Sequence, residues 1–350
     1  MIVFLLGLLA VSYAQETHTG DVREYLNSLR LPGARSESFV IASEERMELW
    51  REAVNAALRN DWLKAAELAP GVNYRLIEFT DPDRGTYYVL RERAEDAQGQ
   101  GTYVFRPEHC RPIVFQAPHA GGDTNTLPQS IHLFLELNAY GLFIAGTHRC
   151  SNAEPSNCDG RSSFCTGRDA AYPVSDVAHF TRNFFHPAHE QLMRNREEQM
   201  VVQLHGFAWE DGDPDLMISN ATCRDREQSR ANELAARYLE IFRDLDLPLG
   251  AGSCNERGGP DRLCAQSNVQ ARFTAGSANP CACAGGRGTC VAGSTCEQSM
   301  PYPERFLHIE QSCAMREMRG CERPARAPYD VTVEVFRRMF PCESKVADGR

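Results

Sequence analysis

Residues 112–145 have the sequence PIVFQAPHAGGDTNTLPQSIHLFLELNAYGLFIA, in which two short apolar runs flank a helical pattern. The runs are Pro112–Gln116 and Gly141–Ala145, and between them the apolar residues of Pro128–Tyr140 recur at helical spacing. A buried strand, a helix and a second buried strand in this order are typical of a βαβ unit. This stretch therefore favours an α/β fold.

The same alternation continues towards the C-terminus. Helical patterns cover Asp176–Met193, Arg226–Leu245 and Val331–Met339, and apolar runs mark Met200–Leu204, Asp215–Ser219 and Phe306–Ile309 as strands. We predict an α/β fold with a mixed central sheet flanked by helices. Segments near residues 150–166 and 250–299 are rich in cysteine and lack periodicity, so we predict that they are disulfide-bonded surface insertions.

The residues before 106 carry a different pattern. Glu44–Leu68 has apolar residues at helical spacing, which predicts one or two helices. Tyr74–Phe79 and Tyr87–Leu90 flank the turn-forming residues Asp81–Gly85 as the two strands of a hairpin do. The predicted segments are a signal peptide (1–14), a helical and hairpin extension (15–105) and a larger α/β domain (106–350).

The chain of 350 residues is acidic, with 37 Lys and Arg against 47 Asp and Glu and a formal net charge of −10. This charge disfavours general binding to a phosphate backbone, so we predict no nucleic-acid partner. An anionic substrate would need a local cationic pocket. Beyond the N-terminus there is no run of about 18 apolar residues, so we predict no membrane span in the mature chain.

The N-terminus and the cysteines both indicate export. The apolar run Ile2–Val11 has the length of a signal-peptide core, and Ser12 and Ala14 are small residues suited to cleavage after Ala14. All 14 cysteines follow residue 100, and an even, dense set in an exported chain predicts up to seven disulfides. The alternative, a structural zinc site, lacks any CxxC spacing. We therefore predict a secreted protein, glycosylated at the Asn220 sequon if the host glycosylates.

Imidazoles and carboxylates recur where the predicted strands end. His119 and Asp123 follow the first apolar run, Arg149 follows the second, and His205 follows the third. Glu310 directly follows the run Phe306–Ile309. In open α/β sheets, ligands bind outside the carboxyl ends of the strands, so these side chains are expected to meet in one cleft.

The residue types predict a catalytic zinc site. Zinc commonly takes two His and one carboxylate plus an open position, which His119, His205 and Asp123 would supply. A metal-bound water would be the nucleophile, and Glu310 would act as general base. Arg149 would bind a substrate carboxylate or stabilise the developing oxyanion.

Each of these residues has an alternative role. The alternative role of Asp123 is to cap a turn or the helix near Pro128. His308 shares a strand face with Glu310 and is a rival ligand. Asp176 and His179 lie one turn apart at the start of a predicted helix and form a reserve ligand pair.

Four patches, taken in order, carry a family resemblance. PHAGGDTN (118–125), FIAGTHRCSN (143–152), VVQLHGF (201–207) and FLHIEQS (306–312) together resemble the phage-type, zinc-dependent poly-γ-glutamate hydrolases. They are also similar to N-formylglutamate amidohydrolases, within the wider zinc-carboxypeptidase-like group. The resemblance implies His119, Asp123 and His205 as zinc ligands and Glu310 as base, although the acid is Asp where carboxypeptidases usually have Glu.

These observations give a functional hypothesis. We expect a secreted zinc hydrolase that cleaves an amide bond next to a carboxylate, of the γ-glutamyl or C-terminal peptide type. Its partner would be a small anionic amide or peptide substrate. The alternative is a secreted, disulfide-rich binding or structural protein on a degenerate hydrolase fold, because a fold does not fix a function.

Overall fold

The computed structural model describes residues 16–220, 229–282, 304–321 and 326–342. In this part of the chain the main sheet has ten strands, and two further short strands pair with each other. In chain order the strands are β1 (Glu16–Thr19), β2 (Tyr74–Asp81), β3 (Gly85–Glu92), β4 (Thr102–Phe105), β5 (Arg111–Ala117), β6 (Ala139–Ile144), β7 (Arg161–Ser162), β8 (Ala170–Ala171), β9 (Met200–Gly206), β10 (Leu216–Ser219), β11 (Ala251–Ser253) and β12 (Phe306–Gln311).

Helices cover both faces of the main sheet. One face packs against α2, α3, α5 and α7 and the other against α1, α4, α6 and α8, each through its own apolar core. The prediction of a mixed sheet flanked by helices is therefore confirmed. The helices are α1 (Val22–Asn27), α2 (Glu44–Leu58), α3 (Trp62–Leu68), α4 (Thr126–Glu136), α5 (Phe185–Asn195), α6 (Arg230–Asp244), α7 (Val269–Thr274) and α8 (Pro328–Met339).

The order of the strands places the candidate residues at one edge. The main sheet runs β1-β2-β3-β4-β6-β5-β9-β12-β10-β11, and its centre, β6-β5-β9-β12, is parallel throughout. After β5, the chain first adds β6 on one side of β5. It then crosses to the other side of β5, where β9 and β12 follow. The switch point therefore lies between β5 and β9, which is where open α/β sheets form their ligand crevice.

The N-terminal residues extend this same sheet. The hairpin predicted around 81–85 is confirmed, since β2 and β3 pair antiparallel from Tyr74 with Glu92 to Asp81 with Gly85. β4 then pairs antiparallel with β6, which joins the hairpin to the parallel centre. The predicted division at 105/106 falls in the connection between β4 and β5.

Trp50 anchors α2 to the sheet and to the segment before α5. Its side chain is fully buried, its indole stacks on Phe184 with ring centroids 4.9 Å apart, and its Nε1 donates to the Phe184 carbonyl at 2.8 Å. Trp50→Ala is therefore expected to lower the free energy of unfolding by about 3–5 kcal/mol, as measured by denaturant titration. Leu63→Ala is the control, because Leu63 is 79% exposed. A loss below about 1 kcal/mol for Trp50→Ala would contradict this prediction.

Five disulfides lie within the described residues: Cys110–Cys342, Cys150–Cys165, Cys158–Cys281, Cys254–Cys264 and Cys313–Cys321. The other four cysteines, and the predicted signal peptide at 1–14, lie outside them. Asn220 of the sequon is 3% exposed, and its Nδ2 donates to Ser229 Oγ and Glu304 Oε1. Among the described helices, none has the length and apolar character needed to cross a membrane.

Two local expectations differ from the structure. The helix predicted from Asp176 begins only at Phe185. The Asp176 carboxylate contacts His119 and Arg149 instead of capping a helix. Asn183 Oδ1 accepts from the His186 N–H in the first turn of α5. The predicted surface insertion 250–299 contains α7, whose six residues are all buried. Its short length and mixed composition hide any helical periodicity.

Candidate metal centre

A tight turn after β5 brings His119 and Asp123 to the same side of the loop. The backbone N–H groups of Gly122 and Asp123 both donate to the His119 carbonyl at 2.8 Å, which is the bonding of a single helical turn. His119 Nδ1 then lies 3.1 Å from Asp123 Oδ2. A Cβ at Gly121 would lie 3.1 Å from the backbone of His148, which is closer than side chains usually approach a neighbouring backbone. The loops after β5 and β6 can therefore pack closely.

The third predicted ligand reaches the same point from β9. His205 Nδ1 lies 3.1 Å from His119 Nδ1 and 3.8 Å from Asp123 Oδ2. All three residues are at least 96% buried. A tetrahedral ion with bonds of about 2.0–2.2 Å separates its ligands by about 3.3–3.6 Å, so this spacing fits zinc.

Hydrogen bonds on the far side of each imidazole leave Nδ1 as the inward-facing nitrogen. His119 Nε2 donates to Asp176 Oδ1 at 2.8 Å, and His205 Nε2 lies 2.8 Å from Gln203 Oε1. In the neutral form, the two Nδ1 lone pairs converge with Asp123 Oδ2, which also accepts from the Gly206 N–H at 3.0 Å. Outer partners of this kind are typical of metal-binding histidines.

The charges around His119 also favour a cation at this point. Burial and the Arg149 guanidinium lower the pKa of His119, but Asp176 and Asp123 raise it more, to about 9. Burial raises the pKa of Asp123, and His119 and Arg149 outweigh this and hold it below its ordinary value. A proton or a divalent metal ion can supply the positive charge that these carboxylates stabilise.

Two other groups of potential ligands occur among the described residues. One combines His119 with Asp176 and His179, the reserve pair. Its Asp176 Oδ2 accepts from Arg149 Nε at 3.0 Å and lies 2.8 Å from Nη2, so a guanidinium already neutralises this carboxylate. His179 Nδ1 donates to the Ser267 carbonyl at 2.9 Å. The geometry therefore favours the set with Asp123.

The remaining group places Glu310 and His308 beside His205. In the sheet, Glu310 pairs with His205 and therefore shares its face, and the candidate ligand atoms of all three residues lie within 4.8 Å of one another. Glu310 is 8% exposed. Burial, followed by Asp123, raises the pKa of Glu310 to about 8, against the lowering effects of His119 and Arg149. A carboxyl group with this pKa can take up and return a proton near neutral pH.

Arg149 is held in the centre by Asp176 and by an aromatic ring. Its Nε and Nη2 contact Asp176, and its Cζ lies 4.7 Å from the ring centroid of Phe164. Its Nη1 faces inward, 3.2 Å from His119 Nδ1 and 3.8 Å from Asp123 Oδ1. This leaves one guanidinium nitrogen directed at the candidate metal ligands.

A cavity of about 520 Å³ opens onto these residues. His119, His205, Glu310 and Arg149 line its base. One wall is 162–164, inside the Cys150–Cys165 loop, and another is 262–268, which begins inside the Cys254–Cys264 loop. The second wall contributes Arg262, which pairs with Glu210 at 3.3 Å and with Asp213.

The outer partners of the imidazoles were not predicted from the sequence. Asp176 was predicted there as part of the reserve ligand pair, and no role was predicted for Gln203 or Asn268. One signal for Gln203 is available, because it is a polar residue in the apolar run MVVQLHG and lies two positions before His205 on the same strand face. No comparable signal marks Asn268.

No family model and no curated protein matches this chain. Among solved structures it is similar to a bacteriophage poly-γ-glutamate hydrolase, with TM-score 0.33, 11% identity and coverage of 67% of this chain and 86% of that one. It is also similar to N-formylglutamate amidohydrolase from Ralstonia eutropha JMP134, with TM-score 0.39, 11% identity and coverage of 69% and 97%.

A metallo-carboxypeptidase from Pseudomonas aeruginosa is a third match, with TM-score 0.30, 11% identity and coverage of 71% of this chain and 57% of that one. These proteins belong to the groups that the sequence patches resemble. At such low identity the similarity concerns the fold, and the chemistry has to be inferred from the residues of the site itself.

Proposed function

We propose that this protein is a secreted zinc-dependent hydrolase of an amide bond next to a carboxylate. One observation carries the proposal: two imidazole nitrogens and a carboxylate oxygen converge within 3.8 Å beside a buried carboxyl group. Zinc, when bound, would supply Lewis acidity that polarises a carbonyl and lowers the pKa of a water molecule. His119, Asp123 and His205 would hold it.

Glu310 is the proposed general base. Its carboxylate would take a proton from the attacking water and return it to the departing amine. Its position supports this role, since its strand register puts it on the same face as His205. Its buried setting also keeps its proton affinity high enough for both transfers.

Arg149 is the proposed substrate contact. Two of its nitrogens are anchored on Asp176, and the inward Nη1 would donate to the amide oxygen as negative charge develops or to a substrate carboxylate. Arg262 also lines the cavity, where it pairs with Glu210 and Asp213. The proposed substrate is a small anion whose carboxylate would contact Arg149.

The alternative of a degenerate site predicts a cleft blocked by a side chain of an insertion. The cavity of about 520 Å³ reaches His119, His205 and Glu310, which favours the hydrolase. Five disulfides among the described residues support a site of action outside the cell, where such bonds persist.

The test is metal analysis of the purified, disulfide-bonded protein followed by a hydrolysis assay. We expect about one zinc per chain, as a three-ligand catalytic site requires. An N-acylated dipeptide with a free C-terminal carboxylate and γ-glutamyl-p-nitroanilide are suitable probes, and the same dipeptide with a C-terminal carboxamide is the matched control. Absence of zinc would contradict the proposed metal. Equal turnover of the free acid and the carboxamide would contradict the proposed substrate class.

Arg149→Met is expected to lower kcat/KM by a factor of about 10²–10³, because it removes one donor to the developing charge. Arg161→Met is the control, since Arg161 lies in the same insertion with its side chain 50% exposed and pairs with Asp169. Thermal unfolding of both variants separates a folding defect from a catalytic one. Equal kcat/KM in the two variants would remove Arg149 from the proposed mechanism.

A further inference from the structure

A chain of buried polar side chains runs away from His205 beneath the cavity. His205 Nε2 is 2.8 Å from Gln203 Oε1, Gln203 Nε2 is 3.0 Å from Gln116 Oε1, and Gln116 Nε2 is 3.3 Å from His189 Nδ1. His189 Nε2 is 2.9 Å from Thr274 Oγ1. Gln203, Gln116 and His189 are fully buried and Thr274 is 3% exposed. Each amide or imidazole in this series can donate or accept on either side. The direction in which the hydrogen bonds run therefore depends on the groups that contact the series from outside.

The N-terminus of α7 fixes the direction at Gln203. The backbone N–H of Ala271 donates to Asn268 Oδ1 at 2.9 Å, which makes Asn268 the N-cap of α7. Since a backbone N–H only donates, this bond assigns the oxygen of the Asn268 amide, and Nδ2 must face Gln203. Gln203 therefore presents Oε1, an acceptor, both to Asn268 and to His205.

The hydrogen bonds at the C-terminal end of α7 agree with this direction. Thr274 Oγ1 donates to the Gln270 carbonyl at 3.0 Å, so its oxygen accepts from His189 Nε2. His189 Nδ1 is then an acceptor for Gln116 Nε2, and Gln116 Oε1 accepts from Gln203 Nε2. Burial holds the pKa of His189 well below its ordinary value, so this ring is neutral and has one donor and one acceptor.

We propose that α7, acting through Asn268 and Gln203, fixes the proton of His205 on Nε2 and so commits Nδ1 to the metal. Gln203 and Asn268 are thus positioning residues, since neither is among the side chains whose ligand atoms converge. The proposal rests on the proposed metal site for its function, but the position of the proton can be measured in metal-free protein. The cysteine-rich segment that contains α7 would then help to position His205.

Two pairs of variants test the proposal. Gln203→Met removes the acceptor opposite His205 Nε2 at similar side-chain length, whereas Gln203→Glu keeps an oxygen there. Asn268→Asp keeps the cap of α7 but replaces the Nδ2 donor with a second oxygen, which would force the Gln203 amide to reverse. Asn268→Ser keeps the cap and adds no opposing oxygen. Thermal unfolding verifies that all four proteins are folded.

The first measurement is the tautomer of His205 in metal-free protein, from long-range ¹H–¹⁵N correlation NMR of histidine-labelled protein. The His205→Asn variant assigns the signal among the 10 histidines of the chain. We expect the proton on Nε2 in the wild type and in Gln203→Glu, and on Nδ1 in Asn268→Asp. A proton on Nδ1 in the wild type would overturn the proposal.

The second measurement is zinc affinity by competition with a chromophoric chelator. Gln203→Met and Asn268→Asp are expected to bind zinc about 10–100-fold more weakly than the wild type, and Gln203→Glu and Asn268→Ser within a few-fold of it. Equal affinities within each pair would overturn the proposal. A wild type that binds no zinc but keeps its His205 proton on Nε2 would reject the proposed function while supporting the tautomer assignment.

Discussion

Glu310→Gln is expected to lower kcat by a factor of about 10²–10⁴ while the zinc content stays at the wild-type level. The substitution is nearly isosteric, and it removes the group that would accept a proton from water. The side chain is 8% exposed and lies beside His308, whose Nε2 is 3.6 Å from Glu310 Oε1. An amide in this position preserves packing but cannot take up the proton.

Single-turnover kinetics and metal analysis on the same sample check this expectation. Glu210→Gln is a suitable control, because Glu210 lines the same cavity but is paired with Arg262. Unchanged turnover of Glu310→Gln would reject the base assignment. Loss of zinc together with turnover would instead make Glu310 a metal ligand.

His205→Ala is expected to reduce the zinc content from about one ion per chain to nearly none, and to abolish hydrolysis with it. The reason is geometric, since His205 Nδ1 supplies one of three converging atoms and lies 3.1 Å from His119 Nδ1. Inductively coupled plasma mass spectrometry, after dialysis against a weak chelator, measures the retained metal.

His308→Ala is the matched control for this experiment. The two rings lie 4.3 Å apart between centroids, both are about equally buried, and both line the cavity. Zinc retained in His308→Ala and lost in His205→Ala supports the assigned set. The opposite pattern would show that the rival ligand of the sequence analysis is the correct one.

Most of the fold could be predicted from the sequence because its core elements are long and periodic. The run PIVFQ became β5, the helical spacing after Pro128 became α4, and GLFIA became β6. The elements that were missed are short or depend on distant contacts. β1 has four residues and owes its strand form to pairing with β2, and α7 has six residues between loops that disulfides constrain.

That the candidate site residues lie close together could be predicted from the order of the strands. His119, His205 and Glu310 come from three neighbouring parallel strands, and the carboxyl ends of such strands meet at one edge. The outer partners could not be predicted in the same way. Asp176 lies 57 residues from His119 and Asn268 lies 65 residues from Gln203, so only the folded chain brings them together.

The two walls of the cavity are closed by short covalent loops, Cys150–Cys165 and Cys254–Cys264, with sequence separations of 15 and 10 residues. Each disulfide therefore holds the two ends of its loop together whatever residues lie between its cysteines. Substitutions within them can reshape the binding surface at little cost to the strands that carry His119, His205 and Glu310. Under the proposed function, such substitutions would alter which substrate the cavity accepts and leave the proposed zinc ligands and base in place.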